Sequence, residues 1–237
     1  MKRETLSPTA RVYIAAILMM AIGCGALLWS AHRGSAAPAE FLWITALGML
    51  AHAYPVRGLR HQAYQVTLPF IIIAAALFNT PQLLVFILLI HAAEQVRIRR
   101  PAHIQLFNVC DYFLSAAVAA LFYQRAIALM PASTLSVVEA ALAAGCTFIV
   151  INRVLLSGAL WAARGLSPLR SGLFSPELLA ADLVIIWISG PMLVLSTQGG
   201  PWLILVAAGP LSLARLALGA ILVQSRSSIP EAPAKAA

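Results

Sequence analysis

The sequence predicts an all-α integral membrane protein with about eight transmembrane helices and both termini in the cytoplasm. Three observations support this class: the apolar composition, the spacing of apolar segments and the distribution of basic residues. Hydrophobic residues make up 61% of the 237 residues and charged residues 10%, against about 25% charged in ordinary soluble domains. A soluble fold of this length cannot bury so much apolar surface, whereas hydrocarbon can solvate it. We therefore expect the lipid bilayer as the first partner and a multi-pass location in a bacterial inner (cytoplasmic) membrane.

Eight apolar segments alternate with polar or glycine- and proline-containing turns. The first and the last four are long enough to cross a hydrocarbon core of about 30 Å at about 1.5 Å per residue. The second, third and fourth have only 15 or 16 residues, so full spans and re-entrant pieces both stay open. The segments are Val12–Ala31, Phe41–Val56, Tyr64–Phe78, Gln82–Val96, Ile104–Tyr123, Leu135–Leu155, Leu178–Thr197 and Pro201–Val223.

The predicted organisation is one membrane domain with short flanking stretches. Residues 1–11 form the cytoplasmic N-terminus, 12–223 the helical domain, and 224–237 a disordered cytoplasmic tail rich in Ala, Pro and Ser. The first segment is longer than the roughly 7–15 apolar residues of a signal-peptide core, which favours a retained helix. Cleavage near Ser35-Ala36-Ala37 is the alternative.

The basic residues predict the orientation, because Lys and Arg are retained on the cytoplasmic side of membrane proteins. With eight spans and a cytoplasmic N-terminus, only Arg33 and Arg125 fall outside. The inside stretches and helix ends hold Lys2, Arg3, Arg11, Arg57, Arg60, Arg97, Arg99, Arg100, Arg153, Arg164, Arg170, Arg215, Arg226 and Lys235. Few other span counts separate the basic residues so completely.

Ionisable side chains at membrane depth are the first candidates for function. Each charge at a helix centre costs about 3 kcal/mol on insertion scales, so we expect the charges to be paired. Matching their depths along the helices predicts the ion pairs Asp111–Arg215 and Asp182–Arg153. The predicted polar network, which either joins helices or lines a ligand pocket, consists of Asn108, Asp111, Asn152, Arg153, Asp182 and Arg215.

Metal ligands are only partly indicated by the sequence. His91 and Glu94, three residues apart, can present two ligands on one helix face, and His52 lies near the end of another helix. No third ligand is defined, so we expect no metal and no cofactor. The three cysteines give neither a disulfide framework nor a zinc spacing, and lie in apolar segments at Cys24, Cys110 and Cys146.

Enzymatic motifs are missing from the sequence, which predicts a protein that is not an enzyme. There is no Walker-type glycine loop, no paired-histidine zincin helix and no Gly-x-Ser-x-Gly elbow. An intramembrane enzyme using Asp111, Asp182 or His91 is the remaining catalytic alternative. The basic residues form no stripe with interleaved aromatic residues, so we expect no nucleic acid partner.

The order of short motifs from about Phe41 to Val223 is familiar. A basic linker, Val56-Arg57-Gly58-Leu59-Arg60, is followed by Arg99-Arg100-Pro101, Leu106-Phe107-Asn108-Val109, Leu121-Phe122-Tyr123, Phe148-Ile149-Val150-Ile151-Asn152 and Gly200-Pro201-Trp202, and the run ends in Gly209-Pro210-Leu211-Ser212-Leu213-Ala214-Arg215. This order resembles the multi-helix membrane regions at the N-terminus of bacterial signalling proteins with cytoplasmic HD-GYP or GGDEF domains. The resemblance covers about three quarters of the chain.

The resemblance implies a sensory or scaffolding module without its output domain. About fourteen residues follow Val223, and no His-Asp metal pair or Gly-Gly-Asp-Glu-Phe run is present. The module would therefore signal through a separate partner, with or without self-association. Arg97, Arg99 and Arg100 form a basic cytoplasmic loop suited to acidic proteins or anionic lipids.

The alternative function is a small-solute, vitamin-like transport membrane subunit. The size of the chain, its helix number and its small-residue helix faces all allow it. The predicted location of the buried polar residues in the cytoplasmic half disfavours it, because capture from outside requires an outer pocket.

Overall fold

The computed structural model describes residues 6–29, 35–54, 56–57, 63–64, 66–200 and 202–203. The regular secondary structure of the described chain is helical except for one pair of two-residue strands. Five helical segments in it are long and apolar enough to cross a membrane: Pro8–Trp29, Thr80–Ile98, Ala102–Leu129, Thr134–Arg164 and Pro176–Gly199. The fold is therefore that of an all-α protein with several candidate membrane spans.

Eight helices are present in the described residues. They are α1 (Pro8–Trp29), α2 (Pro38–Ala53), α3 (Leu68–Leu77), α4 (Thr80–Ile98), α5 (Ala102–Leu129), α6 (Thr134–Arg164), α7 (Pro176–Trp187) and α8 (Ser189–Gly199). Between α2 and α3, β1 (Val56–Arg57) pairs antiparallel with β2 (Ala63–Tyr64). A single 3₁₀ turn, Pro168–Arg170, follows α6.

Each of the first seven predicted apolar segments contains a helix, but several bounds differ. Helix α3 has only 10 residues, and Val56 and Tyr64, predicted at helix ends, belong to the paired strands. The fourth segment, predicted to be short, is the 19-residue α4. Helix α1 starts at Pro8, within the stretch predicted as N-terminal flank. The segment 201–223, with Arg215, and the tail 224–237 lie outside the described residues except for 202–203.

Side-chain caps explain the early helix starts. Asn79 and Gln82 form a capping box at the start of α4, in which the Asn79 side chain accepts from the Gln82 backbone N–H at 2.9 Å. At α1, Ser7 Oγ accepts from the Ala10 N–H at 3.1 Å and donates to the Ala162 carbonyl at 2.9 Å. In α1 and α4, polar residues just before the apolar run thus extend the helix beyond that run.

The segment after the 3₁₀ turn is broken where one continuous span was predicted. Helix α7 ends at Trp187 and α8 begins at Ser189. Pro191, in the first turn of α8, has no backbone N–H to donate one turn back, and its ring crowds the preceding turn, so α7 and α8 cannot form one regular helix. The Ile188 N–H instead bonds to the Ile185 carbonyl at 3.3 Å, which marks the junction.

Small residues form the interfaces between the long helices. On α5, Ala116, Ala119 and Ala120 are fully buried, and on α6 Gly145 packs so that an added Cβ would lie 3.0 Å from Ile186. These small residues are therefore buried at helix contacts, where the absence of bulky side chains lets backbones approach.

Hydrogen bonds show which helix ends lie together. Helices α2 and α4 run parallel, because Gln82 bonds both backbone groups of Ala36 at 3.1 and 3.0 Å, while Arg97 Nη1 donates to the Ala53 carbonyl at 2.6 Å. The Ser7–Ala162 bond joins the start of α1 to the end of α6. Thr80 Oγ1 at the start of α4 donates to the Leu28 carbonyl at the end of α1 at 3.1 Å, so these two helices are antiparallel. The end of the bundle that contains Ser7, Ala53 and Arg97 is called the basic end.

Positive charge is concentrated at this basic end. Six arginines whose side chains the structure describes lie there, whereas Arg125, near the C-terminus of α5, lies towards the opposite end. The six are Arg11, Arg97, Arg99, Arg100, Arg164 and Arg170.

Candidate functional site

Two histidines and a glutamate meet between α2 and α4, near the basic end. His52 Nε2 lies 3.3 Å from His91 Nδ1, and Glu94 Oε2 lies 3.7 Å from the first nitrogen and 3.8 Å from the second. All three residues are buried, with 8%, 1% and 5% of their surfaces exposed. We call His52, His91 and Glu94 the triad.

Two members of the triad are also contacted by side chains outside it. Thr67 Oγ1 lies 3.2 Å from His52 Nδ1. Arg100 donates to Glu94 Oε1 from Nε at 3.2 Å and from Nη2 at 2.9 Å. Thr67 and Arg100 therefore contact His52 Nδ1 and Glu94 Oε1, whereas His52 Nε2 and Glu94 Oε2 face the centre of the triad.

An aromatic ring on α5 closes one side of the triad. Tyr112 packs edge-to-face against the ring of His52 at 5.4 Å and that of His91 at 4.7 Å. The same ring contacts Phe148 of α6 at 5.6 Å. Because aromatic contacts of this kind fix ring orientation, Tyr112 connects the triad to the pair of long helices.

The predicted basic loop is in direct contact with this site. Arg100 is half-buried and forms an ion pair with Glu94. Arg97 Cζ lies over the Tyr54 ring, 4.2 Å from its centroid, and Arg97 Nη1 donates to the Ala53 carbonyl at the end of α2. Arg99 is exposed and has a left-handed backbone with φ 52°. Gln95 bonds the Arg100 backbone N–H at 3.0 Å and its carbonyl at 2.8 Å, which fixes the loop in a tight turn.

Asp111 is the centre of a second buried group. Its carboxylate accepts from Asn152 Nδ2 at 2.9 Å and from Ser115 Oγ at 3.3 Å. These contacts bridge α5 and α6, as the predicted network requires, and Asn108 lies half-buried one turn earlier. The predicted partner Arg215 lies outside the described residues, so the Asp111–Arg215 pair stays a prediction.

The predicted pair between α6 and α7 is confirmed. Arg153 Nη2 forms an ion pair with Asp182 Oδ2, and both residues are buried. Arg153 Nη1 has no hydrogen-bond partner within the described part of the chain. Among the described residues, the pair is thus close but leaves one guanidinium nitrogen without a hydrogen bond.

The sequence placed His91 and Glu94 on one helix face and His52 near the end of another helix, but did not define a third ligand. The signal for His52 was that it lies at a depth similar to that of His91, and the missing information was that α2 and α4 lie side by side. Thr67 and Tyr112 were not singled out at all. Neither residue carries a sequence feature that distinguishes it from ordinary helix-flanking or core residues.

A comparison with protein-family models, with curated proteins and with solved structures finds no match for this chain. The fold and the buried polar groups therefore carry the functional argument.

Proposed function

We propose that this chain is a non-enzymatic polytopic membrane protein, a sensory or scaffolding module that acts through a separate partner bound at the basic end. One observation carries the proposal: Arg100 belongs both to the basic loop and to the buried polar site. Arg100 is anchored by its ion pair with Glu94. A change in the contacts or packing of Glu94 therefore alters this anchor, and with it the positions of Arg97 and Arg99 in the same loop. The resemblance to HD-GYP and GGDEF membrane regions is consistent with this role.

We also propose that the chain crosses a bacterial inner membrane eight times, with both termini in the cytoplasm. The concentration of arginines at one end of the bundle supports this orientation, because that end is retained inside. Helices α2 and α3 then form a pair of short spans or a re-entrant hairpin, and the segment 201–223 supplies the last span.

Cysteine labelling in intact cells tests the orientation. In a variant whose native cysteines are replaced by serine or alanine, a cysteine at Ala102 should resist an impermeant maleimide until the inner membrane is opened. A cysteine at Leu129, which is exposed at the other end of α5, should react from the periplasm. Labelling of Ala102→Cys from outside would reverse the topology and remove the cytoplasmic basic loop.

Site-specific photocrosslinking in native membranes tests the partner. A photoreactive residue at Ala102, exposed at the start of α5, should give a discrete protein adduct. A photoreactive residue at Leu129 should not give this adduct. An Arg97→Ala/Arg99→Ala/Arg100→Ala variant should lose this adduct, whereas Arg125→Ala should keep it. If the triple variant does not fold, Arg99→Gly removes one charge where φ 52° suits glycine, and should weaken the adduct.

Adducts of equal intensity at positions 102 and 129 would contradict docking at the basic end. An adduct whose intensity the arginine substitutions leave unchanged would also contradict it. The transport alternative predicts a different result: purified protein in vesicles, with its transport partners, accumulates a solute, and the arginine variants leave accumulation intact.

A further inference from the structure

We infer that His52, His91 and Glu94 form a binding site for one divalent transition-metal ion of the Zn²⁺ class, between α2 and α4. The inference goes beyond the proposed function and does not rest on it. It also replaces the sequence expectation of no metal, since the packing of α2 on α4 supplies the ligand that the sequence left undefined.

The spacing of the three ligand atoms fits one ion. Zn²⁺ binds histidine nitrogen and carboxylate oxygen at about 2.0–2.2 Å, so ligand atoms in a tetrahedral site lie about 3.3–3.6 Å apart. The observed separations are 3.3 Å between the two nitrogens, and 3.7 and 3.8 Å from each nitrogen to Glu94 Oε2. Movements of a few tenths of an ångström would complete the coordination.

One pair of histidine tautomers suits a cation at the centre of the site. Thr67 Oγ1 is placed to accept the Nδ1–H of His52, and in that tautomer the Nε2 lone pair faces the triad. Arg100 occupies the other carboxylate oxygen of Glu94 and does not lie between the three atoms. His91 Nδ1 lies at the same centre, and with the His91 proton on Nε2 this pair of tautomers directs lone pairs of all three residues towards one point.

In metal sites, residues that do not touch the ion commonly hold the ligands in place by hydrogen bonds. A ligating histidine usually donates its other ring N–H to a nearby acceptor, and ligating carboxylates are themselves hydrogen-bonded. Thr67 and Arg100 fill these two roles here, and Tyr112 fixes both imidazole planes. The site is therefore organised by residues that do not touch the ion.

The donor set selects the class of ion. Two imidazoles and one carboxylate suit Zn²⁺ and its first-row neighbours, whereas Ca²⁺ and Mg²⁺ prefer oxygen ligands. Three protein ligands leave a fourth position open for water or an exchangeable group. Such a site exchanges ligands more readily than a closed four-ligand structural site.

Zn²⁺ titration of the purified, chelator-treated full chain in mild detergent tests the inference, with a competing chromophoric chelator as readout. One ion per chain should bind. His52→Gln, His91→Gln and Glu94→Gln should each weaken binding at least 100-fold, and Thr67→Val about 10- to 100-fold. His103→Gln, a histidine at the start of α5 outside the triad, is the matched control and should bind like the wild type.

X-ray absorption at the zinc edge of the loaded wild type provides a readout that needs no variant. Two imidazole ligands and no sulfur ligand are expected. Absence of stoichiometric binding by the folded wild type would overturn the inference, as would sulfur ligation by Cys24, Cys110 or Cys146. Binding that the triad variants leave unchanged, or that His103→Gln abolishes equally, would also overturn it.

Discussion

Replacing Asp182 by leucine while Arg153 is kept should lower the free energy of unfolding by about 3–5 kcal/mol, because an unpaired guanidinium then remains buried. For a chain of this size the loss corresponds to a decrease on the order of 10 °C in the unfolding midpoint. The midpoint can be measured from the monodisperse fraction that survives heating in detergent. Arg153→Met should be similarly destabilising, since it leaves the carboxylate of Asp182 without its cation.

The double variant Arg153→Met/Asp182→Leu should recover most of this loss. Desolvating both charges is costly, and Arg153 Nη1 has no hydrogen-bond partner in the described part of the chain, so the pair itself adds little net stability. Glu139→Leu, which removes an exposed charge from the same helix, is the matched control and should change stability by less than about 0.5 kcal/mol. A double variant as unstable as either single one would contradict this account.

Gly190→Ala should destabilise the protein by about 1–3 kcal/mol through overpacking. An added Cβ would lie 2.8 Å from Val138 Cγ1 and 3.0 Å from Val138 Cα. The second of these is a backbone atom of α6, so relief requires α8 to move away from α6. The same thermal assay in detergent measures the effect.

Gly23→Ala on α1 is the matched control, since its added Cβ has nothing within 4 Å. Alanine also has the higher helix propensity, by up to about 1 kcal/mol, so this variant should equal or exceed the wild type in stability. If Gly190→Ala and Gly23→Ala behave alike, the close approach of α8 to α6 is not what requires glycine at position 190.

The helices were predictable because their apolar length is a local property. Val12–Ala31 and Leu135–Leu155 each lie within the helix that the structure describes, apart from residues 30–31, which lie outside the described ranges. Ends were less predictable, since caps such as Asn79 lie outside the apolar run. The break near Ile188 had a local signal in Gly190-Pro191, which the apolar length of the whole segment concealed.

Contacts between buried polar residues were predictable only where two residues lie at matching depths along their helices. Arg153 and Asp182 meet as their positions indicated. The contact of His52 with His91 depends on α2 lying beside α4, a long-range arrangement that segment lengths and charges do not encode. The Asn152–Asp111 bond likewise follows from the register between α5 and α6, which small residues allow but do not specify.

The parallel pair α2 and α4 is fastened at both ends, by Gln82 to Ala36 and by Arg97 to Ala53. A slip of either helix by one turn, about 5.4 Å, would break both fastenings and separate His52 from His91. These hydrogen bonds therefore oppose axial sliding between the two helices. A motion that keeps the bonds moves α2 and α4 together, as a tilt or a rotation against α5, whose Tyr112 contacts a histidine of each helix.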